Sequence, residues 1–240
     1  MFITMSNKIP LSVIIIYNSQ AENPILHKTE QSVKDFAQLI LFDVGDQPVI
    51  DFSKVRNTAI KQAQYPYVLF IDSDEVLTKA SIVKIEKIIK DNHYDLVSVM
   101  RSDFFLGKQL YYGEAGSIHL VRFGKKDKIK FARSVHETVV IKPNYLMTGS
   151  DITLLHYSHA SISQFFSKIT YYSYLDSRLR KDNSFFGLLF ELIFFPPFKF
   201  LFNFLIKQGY RDGVRGFTYA IVMSLHSLFV RVNLFEKIKK

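Results

Sequence analysis

The sequence contains no cysteine, which excludes a disulfide framework and any thiolate-held zinc or iron–sulfur centre; a reducing compartment fits that composition. Its first residues, Met1-Phe2-Ile3-Thr4-Met5-Ser6-Asn7-Lys8, are too short and unorganised for a secretory signal, so a cytosolic location is expected. No internal repeat is present. Acid is scarce at one end only: residues 1–140 carry 18 Lys+Arg against 16 Asp+Glu, residues 141–240 carry 13 against 6. The basic end also holds Phe185-Phe186, Phe190, Phe194-Phe195, Phe198, Phe200, Phe202 and Phe204. These rings and their leucines run in blocks rather than alternating with Lys and Arg. That texture favours a membrane surface, with no nucleic acid partner. At 240 residues there is room for one α/β domain with an appendage.

Leu11-Ser12-Val13-Ile14-Ile15-Ile16-Tyr17 reads as a strand buried on both faces, and Leu39-Ile40-Leu41-Phe42 as a second. Ser53 is the expected N-cap of a helix carrying Val55, Ala59, Ile60 and Ala63 on one face. The strand Tyr67-Val68-Leu69-Phe70-Ile71 follows, then a helix from Thr78 to Lys90 and a strand Leu96–Met100. This alternation predicts an α/β, doubly wound, mostly parallel sheet flanked by helices. Ser117–Phe123 reads as a further strand, 124–128 as a solvated turn, and Val135–Ile141 as a segment bearing His136 and Glu137. Beyond residue 160 the pattern turns helical, dividing the chain into 1–160 and a helical tail, 161–240. Ser161 or Ser163 would cap a helix to Arg180. The stretch 185–206 is long enough to span a bilayer, but Pro196-Pro197 argues against one straight helix. An amphipathic tail lying in the membrane interface is the expectation.

Asp72-Ser73-Asp74-Glu75 sits at the exit of the strand 67–71. Unpaired charge buried there costs several kcal/mol, so Asp72 and Asp74 must face a cation, a partner or water. Oxygen ligation of this kind suits Mg²⁺ or Mn²⁺ completed by substrate phosphates. Ligands of such sheets bind beyond the carboxyl ends of the strands, where Asp43 and Asp72 both fall.

Several weak motifs in order carry a resemblance: Leu11–Ile15, Arg56-Asn57, Phe70–Glu75, Ser134-Val135-His136-Glu137, Leu154-Leu155-His156-Tyr157-Ser158, Phe195-Pro196-Pro197 and Gly209-Tyr210-Arg211-Asp212-Gly213. With these the chain resembles the GT-A glycosyltransferases of family 2, in particular the lipopolysaccharide-core glucosyltransferase group. The resemblance implies a Rossmann-like GT-A fold and transfer of a sugar, with inversion, from a nucleotide-diphosphate donor to a hydroxyl of a lipid-linked or envelope glycan. Glu137 would be the general base. Asp72, Asp74 and His156 would hold the metal, and Asp43, Arg56, Asp72 and Ser73 the nucleotide sugar. Gly113 and Glu114, in a loop after Tyr111-Tyr112, would lie on the acceptor side with His136. The enzyme would sit peripherally on the inner face of the cytoplasmic membrane. The chain departs from the family after the first strand, where Tyr17-Asn18-Ser19-Gln20-Ala21-Glu22 replaces an acidic cluster, and in Asp43-Val44-Gly45-Asp46, where Asp, Ser and Gly are usual. Glu22 is a candidate substitute.

Two other classes compete. Asp72–Leu77 also resembles the nucleophile motif of haloacid-dehalogenase-type phosphatases, although that motif opens its domain and here two strands precede it. A non-catalytic membrane or nucleic-acid binder would account for the basic tail but not for the acidic crevice.

Overall fold

The computed structural model describes residues 8–238 except 21–22, 46–48, 50, 117, 135, 160 and 181–183. Glu22 and Asp46 of the expected nucleotide segment, and the N-terminal residues 1–7, lie outside the described residues. The chain divides into two compact units, residues 1–101 with 119–156, and residues 102–118 with 157–240.

In the first unit β1 (Ile9–Tyr17) pairs in parallel with β2 (Phe36–Asp43) on one side and β3 (Tyr67–Asp72) on the other. Each parallel step has the helical crossover it needs: α1 (Leu26–Ser32) leads to β2, and α2 (Phe52–Ala59) leads to β3. A two-residue turn joins β3 to β4 (Glu75–Leu77), and α3 (Lys79–Asp91) leads into β5 (Leu96–Phe105). Further strands are β6 (Lys108–Gln109), β7 (Ile118–Lys125), β8 (Phe131–Ala132), β9 (Thr138–Val139) and β10 (Met147–His159). The main sheet runs β2-β1-β3-β7-β5-β10-β4, with β6 paired to β5, while β8 and β9 form a small ribbon. The sheet is mixed rather than mostly parallel, because β3 pairs β7 and β4 pairs β10 antiparallel. Between β5 and β10 the described chain holds no α-helix, so it has no crossover with which to continue the parallel order.

The unbroken apolar runs follow from burial on both faces. Leu11, Val13, Ile15, Leu69 and Ile71 meet Ile85 of α3 and Val33 on one side. Ile14, Val68 and Phe70 meet Ala59 of α2 and Phe131 on the other. The cap of α2 is Asp51 rather than Ser53: the Asp51 carboxylate accepts from the Lys54 N–H, and Ser53 donates its hydroxyl to the same oxygen. Helix α1 lacks the apolar periodicity that would have announced it, having one buried residue, Thr29.

The second unit contains the end of β5, β6 and three helices: α4 (Ile162–Leu179), α5 (Phe185–Leu201) and α6 (Gly213–Ile238). It also takes Ser102–Ile118, a segment that sequence places in the first domain. Phe105, Leu110 and Ala115 pack there with Phe165 and Ile169 of α4 and Tyr219 and Val222 of α6. The two prolines do not end α5. They remove the N–H groups that would serve the carbonyls of Leu192 and Ile193, and the chain continues through Leu201 into a π-helical turn, Phe202–Ile206. The Ser224 hydroxyl of α6 donates to the Pro196 carbonyl at 2.7 Å. Phe185–Ile206 and Gly209–Lys237 are each long and apolar enough to cross a membrane, by length and composition alone.

Gly216 admits the closest backbone approach here, since a Cβ built on it would stand 1.9 Å from the Gly209 carbonyl oxygen. Gly216→Ala therefore forces backbone apart and is expected to cost about 3 kcal/mol, a fall of about 6–12 °C in Tm for a chain of this size. Calorimetry against Gly149→Ala, where the added methyl meets nothing within 4 Å, isolates the clash; equal melting of the two variants would contradict it.

Candidate active site

Strand register sets the acidic residues. Ile16 of β1 pairs with Asp72 of β3, and Tyr17 pairs with Asp43 of β2, so both carboxylates flank β1 at the same sheet edge. Asp43 accepts from the backbone N–H groups of Ser19 and Gly45 at 3.1 and 3.0 Å. Hydrogen bonds from Ser19, then Gly45, hold its carboxyl below the usual range. Ser73 and Asp74 form the turn out of β3, and the Ser73 carbonyl accepts from the Asn23 amide at 3.0 Å and the Thr29 hydroxyl at 3.1 Å. Helix α1 thus fixes the turn that carries the acidic motif.

Asp72 is bound by two arginines. Arg56 Nη2 donates to Oδ1 at 2.7 Å and Arg122 Nη2 to Oδ2 at 3.0 Å. Arg56 Nε also donates to Glu137 Oε1 at 2.8 Å, and Arg122 Nη1 lies 3.8 Å from that oxygen. Two guanidiniums and two carboxylates therefore form one cluster, with Arg56 and Arg122 only 4% and 7% exposed. Burial disfavours the ionised form of Asp72, but Arg122 and then Arg56 outweigh it and hold the carboxyl well below the ordinary carboxylate range. Burial likewise opposes the charge of Arg56, and Asp72 and Glu137 overcome it. The Arg56 guanidinium also lies over the rings of Phe70 and Phe131, 5.6 and 5.4 Å from their centroids.

Each arginine retains a buried Nη1 without a hydrogen-bond partner. Buried donors are nearly always satisfied, so each Nη1 is a position that a water or a bound acceptor would complete. Sequence reasoning missed Arg122. It stands inside β7 between Val121 and Phe123, and a lone arginine in an apolar strand was the available sign.

Asn57, next to Arg56, has a different task. Its amide donates to the Phe131 carbonyl at 2.8 Å and accepts the Phe131 N–H at 2.9 Å. With the Phe52 N–H donating to the Ser134 carbonyl, this ties the segment before Glu137 to α2. That segment holds Arg133 and His136 at φ of 71° and 51°, a left-handed conformation that costs non-glycine residues of order 1 kcal/mol each. His136 is exposed and Glu137 half-buried.

Asp74 and His156 meet beside this cluster, with Asp74 Oδ1 3.5 Å from His156 Nε2. His156 faces Glu75 in the β10–β4 register. Glu75 is fully buried, accepts the Asp72 N–H at 2.9 Å and leaves Oε1 without a partner; burial and then the Asp72 charge raise its carboxyl above the ordinary value. Among the described residues no group of three or more His, Asp or Glu is arranged to hold a metal. Asp74 and His156 supply two ligands, a set that fits Mg²⁺ or Mn²⁺ retaining waters and sharing substrate oxygens. Both oxygens of Asp72 are taken by arginine, whereas a phosphatase nucleophile needs one of them open to phosphorus.

Gly113 and Glu114 lie in the second unit. The Glu114 N–H donates to Asn203 Oδ1 at 2.8 Å, its carboxylate is ion-paired to Lys199, and the Gly113 N–H donates to the Lys207 carbonyl. Asp212 accepts the N–H groups of Tyr111 and Tyr112 at 3.1 and 2.9 Å. Arg211 stacks over Tyr112 at 4.3 Å. The Gly209–Gly213 motif is therefore a clamp on the Tyr111–Gly116 loop.

The sequence profile of glycosyl transferase family 2 matches residues 13–147, a span that holds Asp43, Arg56, Asp72, Asp74, Arg122 and Glu137 but not His156. No curated protein sequence matches. Among solved structures the chain is similar to residues 1–349 of TarS from S. aureus, at 13% identity over 95% of this chain and 91% of that one, with a TM-score of 0.34. It is also similar to HddC from Yersinia pseudotuberculosis, at 10% identity over 65% and 96%, TM-score 0.41. For the bifunctional IspDF from Campylobacter jejuni the values are 8%, 59%, 49% and 0.39. The chain spans about half the length of IspDF and of the longer TarS chain, 49% of each. With more than half of its residues matched by the family profile, the chain belongs to glycosyl transferase family 2 and carries a glycosyltransferase domain.

Proposed function

We propose that the protein is a metal-dependent, inverting glycosyltransferase that moves a sugar from a nucleotide-diphosphate donor to a hydroxyl of a lipid-linked or cell-envelope glycan, as in the lipopolysaccharide-core glucosyltransferase group. The observation that carries this reading is the cluster of Arg56, Asp72, Arg122 and Glu137 beside Asp74 and His156.

The acceptor oxygen attacks the anomeric carbon as the bond to the donor diphosphate breaks, and the electron pair of that bond leaves on the diphosphate. Glu137 takes the hydroxyl proton. Arg56 and Arg122 turn their unpartnered N–H groups to the diphosphate oxygens, where charge develops. Asp72 holds the two guanidiniums in place and would add a carboxylate oxygen to the metal's ligands where an arginine released it. Asp74 and His156 would hold Mg²⁺ or Mn²⁺, which when bound neutralises the leaving group. Asp43 and the backbone at Ser73 receive the nucleoside, and Gly113, Glu114 and His136 serve the acceptor. The enzyme works peripherally on the inner face of the cytoplasmic membrane.

Isothermal titration of the purified protein with a panel of nucleotide sugars tests this. One donor is expected to bind with Mn²⁺ or Mg²⁺ present and at least about tenfold more weakly after chelation. Binding by none of them would sink the reading.

A further inference from the structure

The three helices of the second unit are layered, with α6 touching both others. Against α5 its partners run antiparallel along the whole helix: Phe235 with Phe185, Arg231 with Glu191, Ser224 with Pro196, and Phe217 with Phe200. Against α4, Tyr219 meets Phe165 and Asn233 meets Ser173. Helix α5 is an outer layer, and its outward side is apolar throughout. Phe186, Phe190, Phe194 and Phe198, spaced four apart on one stripe, are 79%, 63%, 56% and 60% exposed. By the size of a phenylalanine these four alone leave on the order of 500 Å² of apolar surface in contact with solvent, already among the largest patches that soluble monomers tolerate. Leu189, Ile193, Leu201 and Leu205 widen it.

No charge interrupts that face. Between Ser184 and Lys207 the charged residues are Glu191 and Lys199. Both are partly covered and engaged inside the unit, Glu191 with Arg180 and Arg231, and Lys199 with Glu114. Residues 157–240 as a whole carry 12 Lys+Arg against 5 Asp+Glu. An apolar face on a basic unit is complementary to a bilayer with anionic headgroups.

We propose that α5 lies in the plane of an anionic bilayer, its Phe186/Phe190/Phe194/Phe198 stripe buried among the upper acyl chains, and does not cross it. The argument against crossing is the company α5 keeps. Side-by-side packing would draw α6 into the hydrocarbon with Arg215 and Arg231, and α4 with Lys168, Asp176 and Arg178. Each such charge costs about 2.5–3.5 kcal/mol at the centre of a membrane. Lying flat buries the stripe and keeps those charges, Arg231 paired with Glu191 among them, out of the hydrocarbon. The inference deepens the peripheral location proposed above and rests on that reading for its purpose, but its test uses neither donor nor acceptor, so either can fail alone.

The chain has no tryptophan, so Phe194→Trp places a single reporter at the middle of the stripe. With equimolar phosphatidylcholine and phosphatidylglycerol vesicles, its fluorescence is expected to be quenched more by lipids brominated near the headgroup than by lipids brominated near the chain ends. Replacing all four stripe phenylalanines by serine, at exposed positions that leave the core intact, is expected to lower co-sedimentation with those vesicles at least about tenfold, with the near-ultraviolet circular dichroism retained. Deeper quenching would show a spanning helix. Undiminished binding by the serine variant would show that another surface meets lipid. Stripe-dependent dimers in lipid-free buffer without vesicle binding would make a second copy the occupant. Each of these three results overturns the proposal.

Discussion

Glu137→Gln is expected to lower the rate of nucleoside diphosphate release in the presence of an envelope-glycan extract by about a thousandfold, within the range that general-base catalysis supplies, while donor affinity stays within about threefold. The side chain keeps its shape, and its amide oxygen still accepts from Arg56 Nε, so the cluster with Asp72 and Arg122 persists. What is lost is the capacity to take a proton, together with the negative charge that faces Arg56 and Arg122. Steady-state kinetics together with donor titration separate the two effects, since a kcat defect with intact donor binding is the signature of an interaction made in the transition state. A loss of less than tenfold would remove Glu137 from the role of base. Equal losses in kcat and donor affinity would make it part of the donor pocket instead.

Arg56→Met should have the largest effect on stability of any single change in the site, about 3–5 kcal/mol, the cost of breaking a buried ion pair from one side. Among the described residues Arg56 alone hydrogen-bonds both Asp72 and Glu137, and its ring contacts with Phe70 and Phe131 go with it. Its removal leaves those two carboxylates, and Glu75 behind them, facing the single guanidinium of Arg122. In a chain of this length the melting temperature would fall by about 6–20 °C. Arg56→Lys would recover little, because a point charge cannot donate to both carboxylates at once in the geometry of a planar fork. Thermal melts of both variants decide it. A methionine variant as stable as the parent would mean that the carboxylates find water or each other, and that the cluster is loose.

Sequence showed clearly those parts of the site that lie where secondary structure ends. Asp72 and Asp74 stood out because two acids follow a strand too apolar to be anything but buried, and Asp43 because it ends the second strand; the structure adds the register that sets both beside β1. Arg56 and Glu137 came from motif order, and the structure brings them within one hydrogen bond across 81 residues. Arg122 was illegible for the opposite reason: it interrupts a strand rather than ending one, and only three-dimensional pairing reveals its charge partners. The α/β alternation was readable up to β5, where helices separate the strands. Past that point the strands pair antiparallel without crossovers, and short segments such as Thr138–Val139 carry too little pattern to be placed. At Pro196-Pro197 local propensity argues against one straight helix, and the structure continues the helix through both prolines, with Ser224 of α6 donating to the Pro196 carbonyl.

The route of the chain bears on how this protein can be cut, permuted or recombined. It enters the helical unit at Ser102, returns at His119 and leaves again after His156, so a stop codon at residue 160 would not release an intact sheet domain. The stump would keep Phe105, Leu110 and Ala115, whose partners Phe165 and Tyr219 had been removed, and a Tyr111–Gly116 loop stripped of Asp212 and Asn203. A minimal first domain would instead need Ser102–Ile118 excised and Arg101 bridged to His119. Modular exchange of the tail between relatives would have to carry that seventeen-residue insert with it, as a second junction that no linear alignment of the C-terminus would reveal.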